Sequence, residues 1–361
     1  MAYVAVRGGA EAIDASLEHL QYERVKHGAH VSLQTLQATM RGFLDQVMSE
    51  SSLYSERLAS LAMKQSEGNA EEAVFLLRAH RSTLPRLYYS TVTDAREMFV
   101  LRRISASFKD IPGGQILGAS HDYLHRLLDF ELLEETAADV VRKKAQFEQI
   151  DLPEESELPL EHLPKVMDYL REEGLVREFP LNNQEPSDVT KQAMAFPTNR
   201  SQRLQTLTRG QTGTVTSLGY AGLRGYGASH PNVGEVRVGL QPIYVALEDE
   251  AEPYYIGAIK LTEVESFIPV DVDEEGQQVL EFDIGYGACF GQNETKAIAM
   301  SIVDHALEVG GDSPIHDEEF VLLHVDIIES TGFISHLKMP HYVTFQALLE
   351  RIRSIKKEGN R

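Results

Sequence analysis

Apolar residues recur at helical intervals through most of the first hundred positions. Ahead of Gly8-Gly9, Tyr3 to Val6 reads as a short strand, and Ala10 to Lys26 then has the three-and-four spacing of an amphipathic helix ending at Gly28. A second helix is predicted from Ser32, because Leu33, Leu36, Met40, Phe43, Leu44 and Val47 share one face. A third runs through Leu58, Leu61 and Ala62 to Gly68. A fourth covers Ala70 to Ala79, with Glu71 and Glu72 in the first turn, where the helix dipole favours acid.

The periodicity changes after Arg102. Arg103 to Phe108 alternates like a strand and runs into the turn Asp110-Ile111-Pro112-Gly113-Gly114. Residues 147 to 164, with three prolines and surplus acid, suit a solvated connector before a helix over Val166 to Glu173, and 179 to 199 reads as a further loop. Between Thr212 and Phe290, glycine-punctuated apolar runs such as Val236 to Leu247 and Tyr254 to Ile259 suit antiparallel strands. Three helices are expected to close the chain, the first capped by Asn293 and stopped at Gly310-Gly311. The sum is an α+β protein, with a mainly helical region over 1 to 146 packed on a mixed, largely antiparallel sheet with C-terminal helices over 147 to 361.

Composition narrows the chemistry. At 361 residues, with 42% hydrophobic and 25% charged positions, the chain can bury a substantial core. Its 34 Lys and Arg against 55 Asp and Glu leave a formal charge of -21, which repels nucleic-acid backbone and anionic membrane, so no nucleic acid or membrane partner is expected. No secretion leader or long uncharged apolar span is apparent, and a cytoplasmic location is expected. Cys289 is the only cysteine, which excludes an intrachain disulfide and an iron-sulfur cluster built from this chain alone.

An anionic ligand needs local cations working against that field. Arg200, Arg203 and Arg209 lie in RSQRLQTLTRG, Arg224 and Arg237 flank RGYGASHPNVGEVR, and Arg102, Arg103, Lys109 and Arg126 surround the Pro-Gly-Gly turn. Guanidinium groups offer the forked donors that phosphate and phosphonate oxygens prefer. There is no P-loop sequence, and the glycine group from Gly285 to Gly291 is read as a strand-to-helix turn able to offer backbone N–H groups.

His336 and His341, in SHLKMPHYV, are separated by Pro340, which discourages a continuous helix; a loop there could turn both imidazoles to one metal, but on spacing alone two ordinary exposed loop histidines are the favoured reading. Further ligands would come from His324, Glu318, Cys289 or another chain. In HDYLHRLLDF a helix would align His121, His125 and Asp129 and pair Asp122 with Arg126, as an acid-base face or a structural network.

Several segments together resemble the I subunit of the bacterial carbon-phosphorus lyase core complex: AVRGGAEAID, LAMKQSEGNAEEAVFLLRAHRST, RRISASFKDIPGGQILGASHDYLHRLLDF, RSQRLQTLTRG, RGYGASHPNVGEVR, GYGACFGQNETKAIAMSIVDHAL and DEEFVLLHVDIIESTGFISHLKMPHYVTFQ. The resemblance implies a subunit that, with its partners, joins methylphosphonate to C1' of ATP and releases adenine, and that alone hydrolyses ATP or GTP to the free base. It also implies an interface zinc held by His336 and His341, with the remaining ligands from the neighbouring radical S-adenosylmethionine subunit or bound ligand. For such chemistry, Arg200, Arg203 and Arg209 are expected to hold phosphates, and an acid from Asp129, Asp317 or Glu318 to orient the nucleophile or protonate the purine. A scaffold role, contributing interface area and metal ligands alone, is the alternative.

Overall fold

The computed structural model describes residues 9–150, 163–177, 182, 184–226, 230–248, 250–274 and 277–359. The strand expected at Tyr3 to Val6, and most of the 147 to 164 connector, lie outside these residues.

The N-terminal helices are α1 (Gly9–Val25), α2 (Leu33–Thr39), α3 (Arg41–Ser51), α4 (Glu56–Gln65) and α5 (Ala70–Ser82). The single helix expected from Ser32 is two. Ser32 caps α2 by accepting from the Thr35 N–H, but Met40 leaves helical geometry at φ -112° and ψ 36° with Gly42 just beyond, and α3 restarts there. The bend turns Leu44, Val47 and Met48 onto Ala59, Met63, Val74 and Leu77, giving one apolar cluster. By contrast, α1 has no buried residue.

Four strands make one antiparallel sheet in the order β1 (Phe99–Ile104), β2 (Asn232–Val245), β3 (Tyr254–Glu274) and β4 (Gln277–Phe290). β1 starts earlier than its alternation suggested, since Phe99 already pairs opposite Leu240. Between β1 and β2 come α6 (Ala137–Glu148), α7 (Val166–Glu172), α8 (Arg200–Arg209) and α9 (Thr212–Ala221). Residues after Thr212 are thus helical where strands were expected. Gln211 caps α9 through the Thr214 N–H, and its small residues serve close helix contact: a Cβ on Gly219 would stand 2.8 Å from the Ala299 Cβ.

The chain closes with four helices rather than three: α10 (Glu294–Val309), α11 (Glu318–His324), α12 (Ile327–Ser335) and α13 (Tyr342–Gly359). Asp317 and Asp326 each start a separate helix by accepting a backbone N–H. α10 lies on one sheet face, where Val236, Val264 and Cys289 meet Ala297, Met300 and Val303 in the largest core cluster. The glycine group that the sequence suggested as a turn is strand β4 down to Phe290. Side chains at Gly285 and Gly287 would overlap the carbonyl oxygens of Ser301 and Ala297, so these glycines let the helix backbone rest on the strand. The turn is confined to Gly291 to Asn293, with Gly291 at φ +72°.

Among the described residues no single helix is long and apolar enough to cross a membrane. One bent pair, α11 with Ile327–Lys338 at 71°, meets only the length and hydropathy requirement.

Candidate functional site

Helix α12 ends at Ser335, and His336–Lys338 make one tight turn before Met339 extends (φ -76°, ψ 157°), as the residue before proline prefers. Pro340 then separates this turn from α13. The result brings the rings of His336 and His341 to 5.5 Å between centroids, at 64°. His341 bonds through Nδ1 to the Met339 carbonyl at 2.6 Å, and His336 through Nδ1 to the Phe333 carbonyl. A carbonyl only accepts, so Nδ1 is the donor in both rings, which leaves Nε2 as the nitrogen that a metal would take. Metal-binding histidines are oriented in this way.

The pair offers at most two ligands from this chain: among the described residues no group of three His, Cys, Asp or Glu could hold an ion. Of the other in-chain candidates, Glu318 and Cys289 are engaged elsewhere, and His324 does not gather with the pair into a group of three among the described residues. His324 bonds Nδ1 to the Phe320 carbonyl at 2.6 Å, Glu318 accepts from the Thr198 backbone and hydroxyl, and burial pushes the Cys289 thiol up to about 12.

The three arginines of RSQRLQTLTRG share α8 but not a face. At roughly 100° per residue, Arg203 stays near Arg200 while Arg209, nine positions on, points to the opposite side. Arg200 donates to both oxygens of buried Asp304 (3.1 and 2.6 Å), and Arg203 pairs with Glu308, so both meet acids of α10. Arg209 donates to the Val189 carbonyl at 3.0 Å, and burial together with Arg78 and Arg81 pushes it down to about 10.

The acids are dispersed. Residues 121 to 129 are not helical, so His121, His125 and Asp129 do not line a helix face. Asp122 pairs with Arg102 rather than Arg126, whose φ of 58° breaks any helix there. Asp129 caps the short turn Phe130–Glu134, and Asp317 caps α11. Glu318 alone touches α8's neighbourhood, through Thr198 just before the helix.

A family model described as bacterial phosphonate metabolism protein (PhnI) matches residues 2–359. The chain belongs to the PhnI family. It is 42% identical over 362 residues to the putative C-P lyase subunit protein HtxH of Stutzerimonas stutzeri, covering 98% of this chain and 96% of that one. It is 40% identical to the alpha-D-ribose 1-methylphosphonate 5-triphosphate synthase subunit PhnI of Escherichia coli (strain K12), over 99% of both chains. It is 41% identical to the subunit of the same name in Rhizobium meliloti (strain 1021), over 99% of this chain and 95% of that one.

A buried, heavily charged region of the chain is not legible in the sequence pattern. On the sheet face away from α10, Arg103 pairs with Glu235 and donates to the Pro112 and Pro164 carbonyls. Lys165 reaches Glu263 at 2.8 Å, which also accepts from the Tyr286 hydroxyl at 2.9 Å, and Arg171 pairs with Glu265 at 3.0 Å. Arg237 is 1% exposed, and none of its guanidinium nitrogens has a hydrogen-bond partner among the described residues. Alternations such as Glu235-Val236-Arg237-Val238 read as a solvent-facing edge. The one available signal was that β3 carries acids, Glu263 and Glu265, where β1 and β2 carry Arg103 and Arg237.

Proposed function

We propose that this chain, with partner subunits of a carbon-phosphorus lyase system, transfers the ribose triphosphate of ATP to methylphosphonate with release of adenine, and acts alone as a nucleosidase on ATP or GTP. The observation that carries the reading is near end-to-end similarity to two proteins named as ribose 1-methylphosphonate 5-triphosphate synthase subunits. The histidine pair supports a role inside an assembly, because it supplies two zinc ligands and leaves the others to a neighbour. The surface beside it suits a subunit contact: Phe333, Ile334, Leu337, Tyr342, Val343 and Phe345 are all exposed. With one cysteine, the chain leaves cluster chemistry at the carbon-phosphorus bond to a partner, the radical S-adenosylmethionine subunit.

His336 and His341 would hold the zinc, which when bound supplies a Lewis acid for phosphonate or phosphate oxygens. The residues of this chain seat the nucleotide and move protons. The acid or base is drawn from Asp129, Asp317 and Glu318. Glu318, bonded to Thr198 at the start of α8, is the one joined to the helix that bears Arg200, Arg203 and Arg209. The assembly is cytoplasmic in this reading, and takes ATP, GTP and methylphosphonate rather than nucleic acid.

A scaffold role is the second reading, favoured by the capping duties of Asp129 and Asp317. Adenine release from ATP by the purified full-length chain separates the two. Release that falls in Glu318→Ala supports catalysis in this subunit, and its absence from the wild type leaves the scaffold.

A further inference from the structure

We infer that Arg81 and Arg209, backed by Arg78, form a seat for a polyphosphate anion where the C-terminal ends of α3, α5 and α8 meet the 186–190 segment. The inference rests on the nucleotide reading and deepens it, by moving the triphosphate away from Arg200 and Arg203, whose charges meet Asp304 and Glu308.

The bonding of the arginines differs in kind. Arg78 is saturated: it grips Asp326 with Nη1 at 2.8 and 2.6 Å, and spreads Nε and Nη2 over the Glu50 and Arg209 carbonyls. Arg81 uses Nη1 alone, on the Ser51 carbonyl at 2.7 Å and the Ser52 carbonyl at 3.4 Å, so Nε and Nη2 have no partner among the described residues. Arg209 uses Nη1 alone on Val189, and its Nε is buried with no partner among the described residues. Arg81 and Arg209 thus each keep two nitrogens uncommitted, and the edge of a guanidinium is the surface that phosphate oxygens bond.

The charges around them are unbalanced. Arg81 feels Arg78 and Arg86 against Asp188, and Arg209 feels Arg78 and Arg81 against Asp326 and Asp188. Asp326 is held by Arg78, and Asp188 by Arg86 at 3.0 Å with Tyr89 and Thr190 also on it. Both acids are thus already paired, which leaves Arg81 and Arg209 without a carboxylate partner among the described residues, in a chain whose formal charge is -21. Burial first, then neighbouring arginines, lowers the Arg81 and Arg209 pKa values, the mark of cations crowded together. Helix C-termini attract arginine, each with a partial charge of about -0.5. That attraction accounts for Arg78 and for one nitrogen each of Arg81 and Arg209, but not for the uncommitted edges.

Calorimetry of the full-length chain with inorganic tripolyphosphate at fixed moderate salt tests the seat. Arg81→Gln and Arg209→Gln should each weaken binding about tenfold or more, and Arg142→Gln, which removes an equal charge from exposed α6, should leave it unchanged. If Arg209→Gln melts far below the wild type, Arg209→Lys replaces it, with a severalfold loss expected because the charge stays and the fork goes. Wild-type affinity in the Arg81 and Arg209 variants, with ATP still bound, overturns the seat and leaves the nucleotide reading standing. Failure of the wild type to bind both tripolyphosphate and ATP removes both.

Discussion

The imidazoles of His336 and His341 lie 5.5 Å apart, each with Nδ1–H committed to a backbone carbonyl of its own segment. Both residues are exposed, so replacing either costs the fold little. In the complex purified with its partners, His336→Ala or His341→Ala should reduce bound zinc at least about tenfold. The check is elemental analysis beside an unchanged circular dichroism spectrum. Wild-type metal content in both variants removes the site.

Arg103 and Glu235 form a buried pair at 0% and 2% side-chain exposure. Losing one partner strands a charge in the interior. Arg103→Met should therefore destabilise the chain by about 3–5 kcal/mol. Adding Glu235→Gln, which keeps an acceptor for the Val166 N–H, should recover part of that loss in urea unfolding. A double variant no more stable than Arg103→Met would show that the carbonyl bonds of Arg103, not the pair, carry the energy.

Glycines at two places should respond in opposite directions. Gly287→Ala pushes a methyl into the Ala297 carbonyl and should cost roughly 1–3 kcal/mol. Gly42, inside α3, has open space around a Cβ, so Gly42→Ala should raise stability by about 0.5–1 kcal/mol. Thermal unfolding of the two variants side by side measures the difference.

The Cys289 thiol, pushed up to about 12 by burial, should stay protonated and resist maleimide at pH 8 until the chain unfolds. Its sign for stability follows. The unfolded thiol ionises near about 8.5 while the folded one holds its proton, so stability is full below that pH and declines as pH rises from there toward 12. Cys289→Ala should flatten this alkaline decline, and an unchanged decline would assign it to other groups.

What could be read in advance follows the range of the interactions. Most helices over 10 to 82, α8, the span of α10 and the break at Pro340 follow local spacing and proline geometry and are legible, whereas the break at Met40 is not, and Asn293 stands at the start of α10 without a side-chain capping bond. The strand nature of Gly285 to Phe290 was not legible either, because its glycines answer to α10 lying across the sheet. Nor was the buried face of Arg103, Glu235 and Glu263, since period-two alternation cannot distinguish water from a covering helix such as α7. Proximity along the chain groups the three arginines of α8 as a set. Helical rotation divides them, and sends Arg209 toward Arg78 and Arg81.

The most direct test of the whole account is phosphorus NMR, with chromatographic adenine analysis, on the complex co-purified with its partners and given ATP and methylphosphonate. The account predicts adenine release that depends on methylphosphonate, and a new phosphonate ester resonance rising in step with it. Adenine release indifferent to methylphosphonate, with no ester formed, would contradict it.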